Sequence, residues 1–201
     1  MQKDGEPQKG LKQMLHVSEN FMIDPVVYKE FLSYVDNSTS KLKLEKARVS
    51  TGNLGDGTVD TNIRKCNVTE IKNMHIKTIV CDYVNSVNAD TLGFDLYPFQ
   101  CEINYAEYEA KDEGHFSWHP DVKIGTDERK QRKWSASLLL NNYGTDYEGG
   151  EFEMKDFKID KKFYKRGTFL LFPSYEIHRV KPVTKGTRKV LIFFFHGPRW
   201  R

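Results

Sequence analysis

Two hydrophobic periods divide this chain. Between residues 25 and 35 the apolar positions Val27, Phe31 and Val35 fall four apart, with Tyr28 and Leu32 beside them. That stripe predicts an amphipathic helix of about three turns. Asp24 followed by Pro25 marks its start, because a carboxylate can accept from the first free backbone N–H groups and proline has none to lose there. Helical spacing returns at Ile76, Ile79, Val80, Tyr83, Val84 and Val87, and Gly93 offers a C-terminal stop. From Phe94 onward the runs are strand-like, at 99–108, 134–140, 151–154, 168–172 and 189–195. Leu138 to Leu140 and Val190 to Phe195 are continuously apolar, as expected of central strands covered on both faces. Tyr143-Gly144 and Gly149-Gly150 mark turns. Helices first and strands after predict an α+β chain dominated by β, an antiparallel barrel or sandwich with the N-terminal helices packed outside the sheet. A short apolar segment at residues 14–17 suits an edge strand. The polar stretch 38–61 contains Gly52, Gly55 and Gly57, which predicts an extended connection whose part from about residue 50 to 62 serves as a lid. Without an internal repeat, residues 1–201 are read as one domain, with 1–93 the helical support and lid region and 94–201 the barrel core.

Composition narrows the function classes. A chain of 201 residues, 38% hydrophobic and 13% aromatic, can bury a substantial core. A net charge of +3 is far from the clustered excess that argues for nucleic acid, so no nucleic-acid partner is expected. Cys66, Cys81 and Cys101 show neither disulfide nor zinc-knuckle spacing, which points to a reducing compartment. No run approaches the length of a membrane span and the first residues lack a signal-peptide core, so the expectation is a soluble, intracellular, cytoplasmic protein.

The chemistry gathers around Gly114-His-Phe-Ser-Trp-His119-Pro-Asp121. Two apart on an extended strand, His119 and Asp121 point to one face and can grip one ion. A second histidine follows far downstream in Phe172-Pro-Ser-Tyr-Glu-Ile-His178, and Arg188 stands ten residues beyond it. Two imidazoles and one carboxylate on one side of an ion, the other side open, form the ligand set of non-haem Fe(II) oxygenases. His115 and His119 have the i, i+4 spacing of a helical zinc site, but Gly114 and Pro120 oppose a helix and no glutamate occupies the place a zinc protease needs. His16, His75 and His196 have no ligand-like neighbours.

With these residues in place, the chain resembles the 2-oxoglutarate/Fe(II)-dependent dioxygenases, in their prolyl 4-hydroxylase-like branch. The resemblance is carried by His119-x-Asp121, His178 and Arg188, with support from Arg132-Lys-Trp-Ser135, Tyr147-Glu-Gly-Gly-Glu-Phe152 and Gly167-Thr-Phe-Leu-Leu-Phe-Pro173. It implies a double-stranded β-helix of the jelly-roll, cupin-like kind. It also implies Fe(II) on His119, Asp121 and His178, with 2-oxoglutarate and O₂ as cosubstrates and ascorbate as an optional accessory. Arg188 is the expected partner of the far carboxylate of 2-oxoglutarate, since a guanidinium fork matches a carboxylate in two parallel bonds. The branch nearest the collagen enzymes usually carries lysine there, so arginine is a departure. Tyr108 occupies the tyrosine position that contacts the cosubstrate, with Tyr105 its competitor, and Arg132 lines the substrate mouth. Leu138 falls where some members have a tyrosine on the far carboxylate, so that contact is missing or supplied elsewhere. The implied activity is hydroxylation of a C–H bond, best a peptidyl proline, with release of succinate and CO₂. A free amino acid or other small molecule is the alternative substrate, and a non-catalytic β-barrel binding module is the alternative class.

Overall fold

The computed structural model describes residues 15–22, 24–47, 59–122 and 129–200. Twelve strands and two α-helices are arranged as two antiparallel sheets. In chain order these are β1 (His16–Ser18), α1 (Pro25–Thr39), β2 (Glu45–Lys46), β3 (Arg64–Lys65), β4 (Asn67–Glu70), α2 (Met74–Asp90), β5 (Cys101–Glu109), β6 (His115–His119), β7 (Lys130–Leu139), β8 (Tyr147–Gly149), β9 (Phe152–Met154), β10 (Phe169–Pro173), β11 (His178–Val180) and β12 (Val183–Pro198). The larger sheet runs β1-β10-β7-β12-β5-β4-β2, with β8 also pairing β12, and the smaller runs β3-β6-β11-β9.

Both predicted helices form. Asp24 accepts from the backbone N–H of Val26 at 2.7 Å and caps α1, whose Tyr28, Phe31, Leu32 and Val35 are buried. In α2 the buried stripe is Ile76, Val80, Cys81, Val84 and Val87. Asn73 caps its start, and the Gly93 N–H returns to the Asn88 carbonyl at 2.8 Å with φ 57°. All five predicted strands are found. The last runs well past its apolar core because its polar start pairs with β8 and its end with β7. Residues before 94 do more than support: β1, β2 and β4 join the larger sheet and β3 the smaller. Of the predicted lid, residues 50–58 lie outside the described residues.

Alternation along the long strands splits the interior in two. Cys101, Ile103 and Tyr105 of β5, Trp134, Ala136 and Leu138 of β7, Phe169 and Leu171 of β10, and Leu191, Phe193 and Phe195 of β12 form one apolar cluster with both helices. The intervening residues face the smaller sheet and enclose a cavity of about 680 Å³.

Candidate metal centre and carboxylate pocket

His119 ends β6 and His178 opens β11, where the two are paired across the smaller sheet. Between the pairs His178–His119 and Val180–Phe116, Ser117 and Trp118 oppose the single residue Arg179. This is a bulge, and it re-aims the strand. Phe116 and His119, three apart, consequently both line the cavity, their rings stacked at 3.4 Å between centroids. Trp118 is turned outward, 4.6 Å from the Arg179 guanidinium. Asp121 lies just past the strand, where its N–H and that of Val122 both donate to the Ser174 carbonyl, at 2.8 and 3.0 Å. Ser174 is itself tied to β7 through the Lys133 carbonyl and the Ser135 hydroxyl.

The three candidate ligands converge. Their ligand atoms all lie within 4.8 Å of one another. His119 Nδ1 is 2.7 Å from the Ser117 carbonyl and His178 Nδ1 is 2.9 Å from that of Glu176. Backbone carbonyls only accept, so each ring carries its proton on Nδ1 and turns the Nε2 lone pair inward. Those lone pairs face Asp121 carboxylate oxygens at 3.5 and 3.4 Å. Three acceptors facing one another repel unless a cation lies among them, so the donor set fits a metal ion. Burial pushes His178 down to about 4, which keeps it neutral and ligand-competent near pH 7.

Across the cavity Arg188 is 1% exposed, paired in register with Tyr108 of β5 and 5.4 Å from its ring. Asn141 fixes the backbone on both sides of it, donating to the Thr187 carbonyl and accepting from the Lys189 N–H. Among the described residues, Arg188 Nε and Nη2 have no hydrogen-bond partner, and neither has the buried Tyr147 hydroxyl. A buried guanidinium with two unpartnered nitrogens is expensive, and this one suits a planar carboxylate brought from outside. Gly150, at φ 64°, leaves room: a Cβ there would come 3.1 Å from Arg188 Cδ and 2.7 Å from Val183 Cγ2.

Of the two candidate tyrosines, Tyr108 lines the cavity whereas Tyr105 faces the helices and donates to Glu107. Leu138 also faces the helices, so that position cannot see the cavity; Leu139 belongs to the cluster with Tyr108 and Tyr147. Sequence reasoning missed the unpartnered hydroxyl of Tyr147, although Tyr147 opens the Tyr147-Glu-Gly-Gly-Glu-Phe152 motif. Arg132 would by alternation point to the helices with Trp134. A second bulge, which pairs Phe195 with Trp134 but His196 with Arg132, turns it into the cavity instead. There it bonds the Asp121 carbonyl at 3.3 Å, pairs with Glu102 at 3.3 Å and lies 3.5 Å over Phe194. His115 is held by the Glu113 and Asn62 carbonyls on a strand, so the helical zinc arrangement is not formed. His16 bonds Tyr83 and His196 pairs with Glu102, both outside the triad.

Comparison with known proteins agrees with this geometry. Residues 103–196 match the profile of the 2OG-Fe(II) oxygenase superfamily. A PKHD-type hydroxylase of Pseudomonas fluorescens is 34% identical over 86 residues, which are 40% of this chain and 38% of that protein. One from Aliarcobacter butzleri is 26% identical over 185 residues, 88% of this chain and 75% of that protein. Except for the Aliarcobacter protein, the chain spans about two-fifths of the length of these curated relatives. Among solved structures, a Pseudomonas putida prolyl-4-hydroxylase has a TM-score of 0.65 at 20% identity, covering 92% of each chain. A Trichoplax adhaerens prolyl hydroxylase, in complex with a hypoxia inducible factor peptide fragment, has a TM-score of 0.68 at 16% identity, covering 92% of this chain and 84% of that one. These structures share the double-stranded β-helix.

Proposed function

Because residues 103–196 match the 2OG-Fe(II) oxygenase superfamily profile, we propose that the chain is a member of that superfamily and an Fe(II)- and 2-oxoglutarate-dependent hydroxylase. The carrying observation is that a triad of inward-facing acceptors and a buried guanidinium with two unpartnered nitrogens share one cavity. His119, Asp121 and His178 would hold the iron, leaving its other positions open. Arg188, aided by Tyr147, would hold the far carboxylate of 2-oxoglutarate, with Tyr108 beside it. When bound, the iron with O₂ and 2-oxoglutarate supplies the oxidising power for C–H hydroxylation, giving succinate and CO₂.

The chain's own task is positioning. The Ser117 and Glu176 carbonyls fix both imidazole tautomers, and Ser174 fixes the Asp121 backbone. Phe116, Phe152, Phe172 and Val180 wall the centre with apolar surface that limits water. A peptidyl proline is the substrate favoured by the prolyl hydroxylases among the structural neighbours, one solved with a peptide. A free amino acid or other small molecule fits the same volume. Purified protein given Fe(II), 2-oxoglutarate and O₂, with ascorbate as an optional addition, should release succinate and add 16 mass units to a prolyl peptide in a mass-spectrometric screen. No succinate from metal-loaded protein would favour the non-catalytic binding module; succinate with product only from small molecules would replace the peptide.

A further inference from the structure

Among the described residues, five charged side chains besides the histidines line the cavity: Arg64, Glu102, Asp121, Arg132 and Arg188. Glu102 answers Arg132, and also approaches Lys130 and His196. Asp121 faces the two imidazoles at close range and attracts Arg64 only from beyond ion-pair distance. Arg188 is matched in the reading above by 2-oxoglutarate. Arg64 is left over. It enters from β3, paired in register with Phe116, its guanidinium 4.8 Å from that ring and its Nε 3.2 Å from Cys66 Sγ. No carboxylate among the described residues reaches ion-pair distance of it, and its Nη groups make no hydrogen bond among them.

The other arginines show that this is unusual within the molecule. Among the described residues, four arginine guanidiniums lie over an aromatic ring: Arg64, Arg132, Arg179 and Arg188. On the outer face Arg179 is completed by Glu153, at 2.6 Å, and at the mouth Arg132 is completed by Glu102. A ring and a thiol orient a guanidinium without neutralising it. Of these four, Arg64 and Arg188 have no carboxylate within ion-pair distance among the described residues, and both line the cavity, where apolar walls focus their positive potential and draw in an anion. One anion is accounted for and the second is not.

We infer that Arg64 is a specificity-determining residue that receives a carboxylate of the substrate itself: an acidic residue flanking the target proline in a peptide, or the molecule's own carboxylate if it is a free amino acid. The inference rests on the hydroxylase reading, and the experiment separates the two. Matched prolyl peptides with glutamate, glutamine or lysine beside the proline, together with free proline and prolinamide, are assayed for hydroxylated product while succinate is followed in parallel. Wild type should favour the glutamate peptide over the lysine peptide by about tenfold or more in kcat/KM, chiefly through KM. If the carboxylate is the substrate's own, the same preference appears for proline over prolinamide. Arg64→Gln should shrink the ratio to about twofold, Arg64→Lys restore part of it, and Arg64→Glu reverse it. A ratio that stays the same in Arg64→Glu overturns the inference, as does a wild type that releases succinate yet ignores charge on every probe. A loss appearing instead as a higher 2-oxoglutarate requirement also overturns it, by placing Arg64 on the cosubstrate. Absence of any succinate sinks the hydroxylase reading itself.

Discussion

The strands β5, β7, β10 and β12 carry two faces built to opposite rules. Toward the helices, Trp134, Ala136, Leu138, Phe169, Leu171, Leu191 and Phe193 are fully enclosed and close on one another and on α1 and α2. Toward the smaller sheet, the residues between them surround the 680 Å³ cavity and include an arginine with two unpartnered nitrogens. Neighbours in sequence thus serve different ends: Phe193 completes a core while Ile192 and Phe194 line a cavity. The first face is satisfied by the chain alone, whereas polar groups on the second lack partners among the described residues. That asymmetry marks the functional face without reference to any relative.

The comparison breaks most sharply at Asp121 and Phe193. Asp121→Ala should cut succinate release about 10³-fold or more, with the thermal melt little changed, since no apolar packing is removed. Retained turnover would show that the metal lies elsewhere. Phe193→Ala should do the reverse and cost about 3–5 kcal/mol in chemical denaturation. Its neighbour Ile192→Ala should cost only about 1–2 kcal/mol, because its side chain borders space already present. Equal losses for these two would mean that the faces are packed alike.

A smaller effect is expected across the cavity. Arg188→Ala should raise the 2-oxoglutarate concentration needed for half-maximal succinate release about 30-fold or more, since a carboxylate would be buried without its partner. Arg188→Lys should recover only part, a point charge replacing a fork. An unchanged requirement would hand the carboxylate to another cation. Tyr147→Phe should weaken 2-oxoglutarate about fivefold if its hydroxyl completes the pocket.

Much of this division is legible in the sequence, and its gaps have physical causes. The helices are announced by period and cap, and the long strands by apolar runs. The triad was readable because His119 and Asp121 flank a strand end and His178 stands in a distinctive apolar context. The short strands β6 and β11 carry no usable period, being 5 and 3 residues long with a bulge between them. Bulges also hide which face Arg132 and Phe116 occupy, because one extra residue inverts every later assignment. One step along β7 exchanges the cavity for the helices, so Leu138 makes no contact in the cavity. Arg64 carried no signal, since only the folded sheet sets it over Phe116 with no described carboxylate at ion-pair distance.

The smallest effect separates the faces by acid. His178 is pushed down to about 4 by burial, with the nearby Asp121 carboxylate opposing and His119 adding to the fall. An unfolded histidine titrates near 6.5, so between about 6.5 and 4 the unfolded chain binds a proton that the folded chain refuses. Stability from this group is therefore complete above about pH 6.5 and is lost as pH falls toward 4. Asp121, which burial would raise but its imidazole neighbours hold below the usual carboxylate range, titrates beneath that window. Metal-free protein, kept so with chelator, should lose about 1 kcal/mol between pH 7 and 5.5 through His178. His178→Gln should flatten that part of the profile, whereas Phe193→Ala should lower the whole curve without changing its slope. Parallel profiles for wild type and His178→Gln would show that the acid sensitivity comes from the other depressed histidines, His16 or His196, and not from the cavity face.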